Sequence, residues 1–333
     1  MRRVLLLALF SFGVCARTLD VYLVDVEGGK AMLTIAPSGE SLLVDVGFPG
    51  FNGRDSDRIV AAAHAAGVKR IDYLLITHYD SDHMGDVPLL MSKIPIRHIL
   101  DNGPLRTSGK GVEQRYKSYV EARNKIPHTE VHAGGALPVR GVSIRVITAG
   151  GKHIPSTGAR NPFCATSEVR PAIPEDKEDN MSIGLLYTLG KFRMVDLADL
   201  EWDAERGLMC PNNPVGTASV YVTSVHAQPK AGSPALVHAL HPRVILMDNG
   251  PRKGGAPESW PILRGSPELE DIWQVHYSVL GGKDKNPPDD FNANLETACE
   301  ARWLKLSANR DGSFTVTNSR NGFSKTYAQT RVP

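Results

Sequence analysis

The chain has 333 residues, 41% hydrophobic and 22% charged, a composition with ample apolar mass for a core and unlike that of a disordered, collagenous or coiled-coil chain. Its formal charge is +2, and the two arginines among the first 16 residues account for that excess. Without that segment the chain is neutral, which disfavours a dedicated binder of duplex phosphates while leaving room for a local basic patch.

Arg2 and Arg3 precede an apolar run from Val4 to Val14, closed by the small residues after Val14, Cys15 and Ala16. This is the layout of an export signal, and the alternatives are a buried N-terminal helix or a lipid anchor at Cys15. The run is shorter than the roughly 20 residues that cross a bilayer core of about 30 Å. The expectation is an exported chain, periplasmic or secreted, with no transmembrane anchor once residues 1–16 are removed. Cys164, Cys210 and Cys299 then remain, at separations that match no CxxC motif. One disulfide and one free thiol is the simplest arrangement, and the sequence leaves the pairing open.

Three short β-branched runs follow, Leu19 to Val26, Ala31 to Ala36 and Ser41 to Val46, separated by Glu27-Gly28-Gly29 and Pro37-Ser38-Gly39. They predict an antiparallel meander. A helix is expected over Asp55 to Ala66, then a buried strand over Ile71 to Thr77, a helix from about Val87 to Ser92, a strand over Ile96 to Leu100, a helix near Val112 to Lys125 and a hairpin around Val139 to Thr148. Gly150 to Asp179, rich in Gly, Pro and charge, reads as a long loop of the kind that often serves as a lid.

The pattern then starts over with strands at Ser182 to Leu189 and Lys191 to Leu197, a helix from about Trp202, a strand at Ser219 to Val225, a helix near Pro234 to Leu240 and a strand at Val244 to Met247. Two β-then-α halves predict a duplicated sandwich. Beyond Pro257 the pattern loosens. Asn286 to Asp290 reads as a linker, and Trp303 to Ser307, Ser313 to Thr317 and Ser324 to Tyr327 read as a small β appendage with turns at Asp311-Gly312 and Asn321-Gly322.

The residues that carry chemistry stand directly after the strand ending at Thr77. His78, Asp80, Asp82 and His83 occupy offsets 0, 2, 4 and 5, so one curled loop can converge all four side chains. Imidazole with carboxylate is a ligand set for Zn²⁺, Mn²⁺ or Fe. Any one of these residues alone would be a solvated loop residue or a helix cap; the joint spacing points to a metal. No GxSxG, GxxxxGKS or GxGxxG stands in a strand-turn-helix context.

The run HYDSDHMGD resembles the HxHxDH motif of the metallo-β-lactamase superfamily, with Asp80 where the second histidine usually stands. The HxDxDH variant is similar to the hydrolase domain of ComEC-type competence proteins. In chain order, Asp25 to Ala31 resembles that family's DVGQGDA turn, Leu43 to Gly47 its LIDTG strand end, Asn180-Met181-Ser182 its NxS, Ala198-Asp199-Leu200 its GDL and Ser224 to Ala227 its SHHG. The similarity spans about residues 20 to 257. It implies a four-layer αββα sandwich, and with the residue pattern this gives a signal over 1–16, a hydrolase domain over 17–257 and a partly β C-terminal extension, a small appendage, over 258–333.

The resemblance further implies one or two divalent metal ions, zinc or manganese. His78 and Asp80 would serve the first, Asp82 and His83 the second, and Asp199 would bridge them, against the alternative that Asp199 caps the next helix. His226 would be a ligand or a substrate-polarising group, or a hydrogen-bonded structural histidine. Asp82 and His226 are the residues given catalytic roles. The implied activity is an exported metal-dependent hydrolase in which a metal-bound hydroxide attacks an ester-like bond, a phosphodiester or phosphate ester first, on a small-molecule or phosphoester substrate. Nucleic acid is a partner that the neutral charge does not favour.

Three positions depart from the pattern. Lys30 replaces an acid, Val225 the first of two paired histidines, and Ala256 the histidine of a GHP. Val225 and Ala256 favour the alternative function, a non-catalytic exported binding module with a degenerate metal site; an iron-holding redox variant is a smaller third choice. Asp248 is either a replacement carboxylate or part of a turn, and Asn180 either approaches the first metal or caps a loop. His98, His128, His132, His153, His238, His241 and His276 lack ligand-like spacing and read as structural or surface residues.

Overall fold

A computed structural model describes residues 18–107, 111–173 and 177–329. The expected export signal over 1–16 lies outside the described residues, among which no helix is long and apolar enough to cross a membrane. In the first half the elements are β1 (Leu19–Leu23), β2 (Met32–Ile35), β3 (Ser41–Val44), α1 (Arg54–Ala65), β4 (Tyr73–Leu75), α2 (Ser81–Met84), α3 (Val87–Lys93), β5 (Ile99–Asp101), α4 (Val112–Arg123), β6 (His128–Glu130), β7 (Ser143–Ala149), β8 (Lys152–His153) and β9 (Ala159–Arg160). The second half holds β10 (Gly184–Leu189), β11 (Phe192–Asp196), α5 (Trp202–Met209), β12 (Asn212–Asn213), β13 (Val220–Val222), α6 (Pro234–Leu240), β14 (Val244–Met247), α7 (Ser259–Arg264), β15 (Asp271–His276), β16 (Asn292–Asn294), β17 (Leu304–Ala308), β18 (Phe314–Asn318) and β19 (Ser324–Tyr327).

Two large sheets result, one in the order β19-β18-β17-β1-β2-β3-β4-β5-β6 and one in the order β16-β15-β14-β13-β11-β10-β7-β8. The period-2 alternation in the sequence sets their faces. In β1, Leu19, Val21 and Leu23 point into the layer between the sheets, while Tyr22 faces the outer layer with α1, α3 and α4. In β10, Leu185, Tyr187 and Leu189 face inward, and Leu186 joins the outer cluster under α5, α6 and α7. Three apolar layers between four layers of elements give the αββα sandwich.

The C-terminal strands are continuous with this sandwich. β17 pairs antiparallel with β1, and β15 and β16 extend the second sheet in parallel. The strands expected as a small β appendage thus lie at an edge of the first sheet, and β15 is a strand that the sequence pattern did not disclose. Its run Asp271 to His276 lacks alternation because it is buried almost throughout.

Cys164 pairs with Cys210, and Cys299 is free. The bridge closes a loop of 46 residues, for which chain entropy predicts about 4 kcal/mol of stabilisation.

Asp25, just past β1, is buried in an ionic knot. His276 Nε2 lies 2.7 Å from one of its oxygens, and Arg58 Nη1 and Cys299 Sγ donate to the other at 3.0 and 2.9 Å. Burial opposes ionisation of Asp25, but His276 and Arg58 outweigh it and hold its pKa below the usual value. A carboxyl with a depressed folded-state pKa contributes stability above its unfolded pKa and loses it as pH falls through the folded one. Urea unfolding of Asp25→Asn at pH 7 should show a loss of about 3–5 kcal/mol, the cost of breaking a buried pair. That difference should shrink as the pH falls below about 4.

Candidate metal centre

Within each sheet the strands that end at the site are parallel neighbours. β3 and β4 belong to the first, and β11, β13 and β14 to the second. Parallel strands put their carboxyl ends on one edge, where open α/β sheets place ligands. Residues with positive φ cluster there, at Glu27, Asp45, Ala198, Val225, His226 and Ala227. Left-handed backbone in a β-branched residue such as Val225 is costly and persists only where the surroundings fix it. Here it turns His226 back over the end of β13.

The HYDSDHMGD run leaves β4 and turns into α2, whose His83 and Met84 amides donate to the Asp80 carbonyl at 3.1 and 2.9 Å. Asp86 then caps α3 by accepting from the Leu89 amide at 3.0 Å. Two glycines permit the close packing of this loop. A Cβ on Gly85, at φ +50°, would lie 2.6–2.8 Å from Val46 and Gly47, and one on Gly29 would lie 2.5 Å from the Asp82 carbonyl. Gly29 thus lets the turn before β2 reach the motif, where the Lys30 amide donates to Asp82 O at 3.0 Å.

Folding gathers the six residues singled out in the sequence into two neighbouring sets. Asp82, His83, Asp199 and His226 form one, all buried. His83 Nε2 lies 3.5 Å from Asp82 and 3.3 Å from Asp199, and His226 Nε2 lies 3.6 and 3.5 Å from the same two residues. His78, Asp80 and Asp179 form the other, with His78 Nε2 4.0 Å from Asp80 and 3.7 Å from Asp179. The rings of His78 and His83 are 4.1 Å apart, so the sets adjoin. Ligand atoms about 2.1 Å from a tetrahedral ion stand roughly 3.4 Å from one another, close to these separations.

Each histidine is held by Nδ1 and leaves Nε2 without a partner. His83 Nδ1 meets Asp45 at 2.8 Å, His226 Nδ1 meets the Asp248 carbonyl at 3.1 Å, and His78 Nδ1 meets Thr77 and Ser182 hydroxyls at 3.1 and 3.3 Å. The Nε2 atoms of all three, and Oδ1 of Asp199, are buried without a hydrogen bond. Such orphaned polar atoms cost free energy unless something binds them. Outer partners that fix the far nitrogen of a ring are also how proteins aim imidazole at a metal. The donors present therefore fit a divalent cation.

The electrostatics agree. Burial and the charge of His83 push His78 down to about 3. Burial also works against protonating His83 and His226, yet Asp199 and its neighbours outweigh it, raising His226 to about 10 and His83 well above its usual value. Burial opposes ionising Asp82 and Asp199 as well, but the imidazoles hold both well below the carboxylate range. Burial and the Asp199 charge raise Asp179 to about 8 against the pull of Lys230. The field at His83 and His226 is one that attracts positive charge.

Asp179 is the residue that the sequence did not single out. It ends the stretch read as a loop, and Glu178 ties it to the motif by accepting from the Tyr79 amide at 2.9 Å. The adjoining NxS at 180–182 was the available signal. Asn180, weighed as a first-set residue, turns away, donating to Asp203 at 3.2 Å and accepting from the Glu201 amide at 3.1 Å. Asp248 is neither part of a set nor a free turn residue, since it accepts from Lys30 at 2.9 Å. Lys30 is buried and also 3.0 Å from Asp196, so the departure at this position builds an ion triad joining the two sheets. Val225 and Ala256 are buried apolar residues. Lys253 touches Asp82 and Lys230 touches Asp179, one ammonium beside each set.

A profile of the metallo-beta-lactamase superfamily matches residues 26–159. The metallo-beta-lactamase fold protein YhfI from Bacillus subtilis is similar over 77% of this chain and 96% of its own, at 13% identity and TM-score 0.49. CmlA, a diiron beta-hydroxylase from Streptomyces venezuelae, is similar over 77% of this chain and 48% of its own, at 15% identity and TM-score 0.42, so the chain spans about half of that protein. A diphosphatase of the PhnP family is similar over 78% of this chain and 96% of its own, at 12% identity and TM-score 0.42. None of the curated proteins matches. The αββα fold is of the metallo-beta-lactamase type, the profile match covers the HYDSDHMGD run, and the buried donor cluster is the candidate metal centre.

Proposed function

We propose that the protein is an exported, metal-dependent phosphoesterase. His78, Asp80 and Asp179 hold one divalent cation, Asp82, His83 and His226 hold a second, and Asp199 serves the second and bridges toward the first. The observation that carries this is the trio of buried imidazoles, each fixed through Nδ1 with Nε2 free toward carboxylates. Four carboxylates in the two sets make the donor set hard, which favours Mn²⁺ over Zn²⁺. When bound, such a pair of ions lowers the pKa of water and offsets charge developing on a phosphoryl oxygen.

The chain's own groups supply the rest. Asp45 and Ser182 keep His83 and His78 oriented, and Lys253 and Lys230 bring positive charge to the edge of each set, which favours an anionic ester over a neutral amide. Asp179 gives the His78 and Asp80 set a third donor, which weakens the case for a non-catalytic binding module. The HxDxDH spelling, with the DVGQGDA-like turn at Asp25 to Ala31, is the link to ComEC-type domains. With a neutral chain after residue 16 it supports a small phosphoester before a polynucleotide.

The test is metal analysis of the purified protein followed by a panel of phosphomonoesters, phosphodiesters, carboxylic esters and a β-lactam. The expected result is close to two equivalents of metal and turnover confined to the phosphoesters. Near one equivalent and no turnover on any member would favour the binding module.

A further inference from the structure

A pocket of about 370 Å³ opens beside the first set, between Trp202 and Arg170 on one wall and Pro229 and Lys230 on the other, with Pro171 and Ile173 at its rim. Its volume is at the small end for ligand pockets, enough for one ring or a short alkyl chain and too small for a polymer. The walls are mainly apolar. Arg170 stacks 3.7 Å from the Trp202 ring and donates to the Pro229 carbonyl at 2.8 Å, so the wall is braced by contacts of its own. Ile173 is 37% exposed, a large apolar side chain left facing solvent at the rim, and Val169 nearby is 75% exposed.

The inner end of the pocket is polar and belongs to the site. Lys230 lines the pocket and reaches Asp179, and its carbonyl accepts from the Trp202 amide at 2.9 Å, which fixes both walls three residues past Asp199. Glu201 lies 3.4 Å from the same ammonium. A phosphate held by a cation among His78, Asp80 and Asp179 would lie beside the Lys230 ammonium, which keeps Asp179 and Glu201 as partners and adds the phosphate to them.

We infer that this pocket is the subsite for an apolar group carried by the substrate, and that Lys230 pairs with the phosphate to which the group is attached. This rests on the phosphoesterase reading and narrows it to phosphate esters bearing an aryl or short alkyl group. The geometry gives the two parts separate residues: Ile173 and Trp202 for the apolar group, Lys230 for the charge.

Titration calorimetry of the full Mn²⁺-loaded chain with phenylphosphonate and methylphosphonate measures the two parts without turnover. Phenylphosphonate should bind about tenfold more tightly, near 1.4 kcal/mol. In Ile173→Ser, an uncharged substitution at an exposed position that the fold should tolerate, the phenyl preference should fall toward one, with the loss borne by phenylphosphonate rather than methylphosphonate. In Lys230→Met both ligands should weaken together with the preference kept. Equal binding of the two ligands by the unaltered chain, or a preference that Ile173→Ser does not reduce, would overturn the subsite even if phosphoesters are hydrolysed. Absence of both binding and phosphoester hydrolysis would overturn the phosphoesterase reading along with it.

Discussion

Asp199→Ala should lower turnover by about three orders of magnitude or more, about 4 kcal/mol of lost transition-state stabilisation, and should cost close to one equivalent of bound metal. The size follows from its position. Its two oxygens face His83 Nε2 at 3.3 Å and His226 Nε2 at 3.5 Å, and Oδ1 has no protein partner. Removing it takes the shared carboxylate from the fully buried set and leaves the two imidazoles with Asp82 alone. The Asp199 amide donates to Ser182 Oγ, which also meets His78 Nδ1, and the backbone contact survives the substitution. Asp45→Asn, which acts on His83 from behind, should be milder, about 10–100-fold in metal affinity. Metal content by mass spectrometry beside kcat separates the two; equal effects of both variants would contradict the division into holding and orienting residues.

Lys30→Met should destabilise the fold by about 3–5 kcal/mol, measured as the urea midpoint in the presence of chelator. Lys30 Nζ lies 3.0 Å from Asp196 and 2.9 Å from Asp248, all three within the join between the sheets. Burial disfavours the ammonium, but the two carboxylates outweigh it and keep Lys30 charged. Methionine fills similar volume and leaves two acids buried with nothing to offset them. Asp248 also holds His226 through its carbonyl, so metal affinity should fall with stability. Adding Asp196→Asn and Asp248→Asn should restore much of the loss. A Lys30→Met chain as stable as the original would show that the triad is not buried as described.

The sandwich was legible because its strands alternate and its halves repeat. The metal motif was legible because four donors crowd within six residues. What escaped had physical reasons. β15 is buried almost throughout and so shows no alternation. Asp179 sits at the end of a stretch whose Gly, Pro and charge content reads as loop, and it reaches the site through tertiary contacts that local patterns do not carry. Lys30 looked like the loss of an acid, whereas its partners at 196 and 248 lie more than 160 residues away, so its meaning was accessible only after folding. The Cys164–Cys210 pairing was likewise a question of distance rather than composition.

The most direct test of the account is the anomalous scattering of a crystal of the Mn²⁺-loaded protein. Two peaks are predicted, one enclosed by Asp82, His83, Asp199 and His226, the other by His78, Asp80 and Asp179. Loaded crystals with no peak among these residues, or with manganese bound elsewhere on the chain, would contradict it.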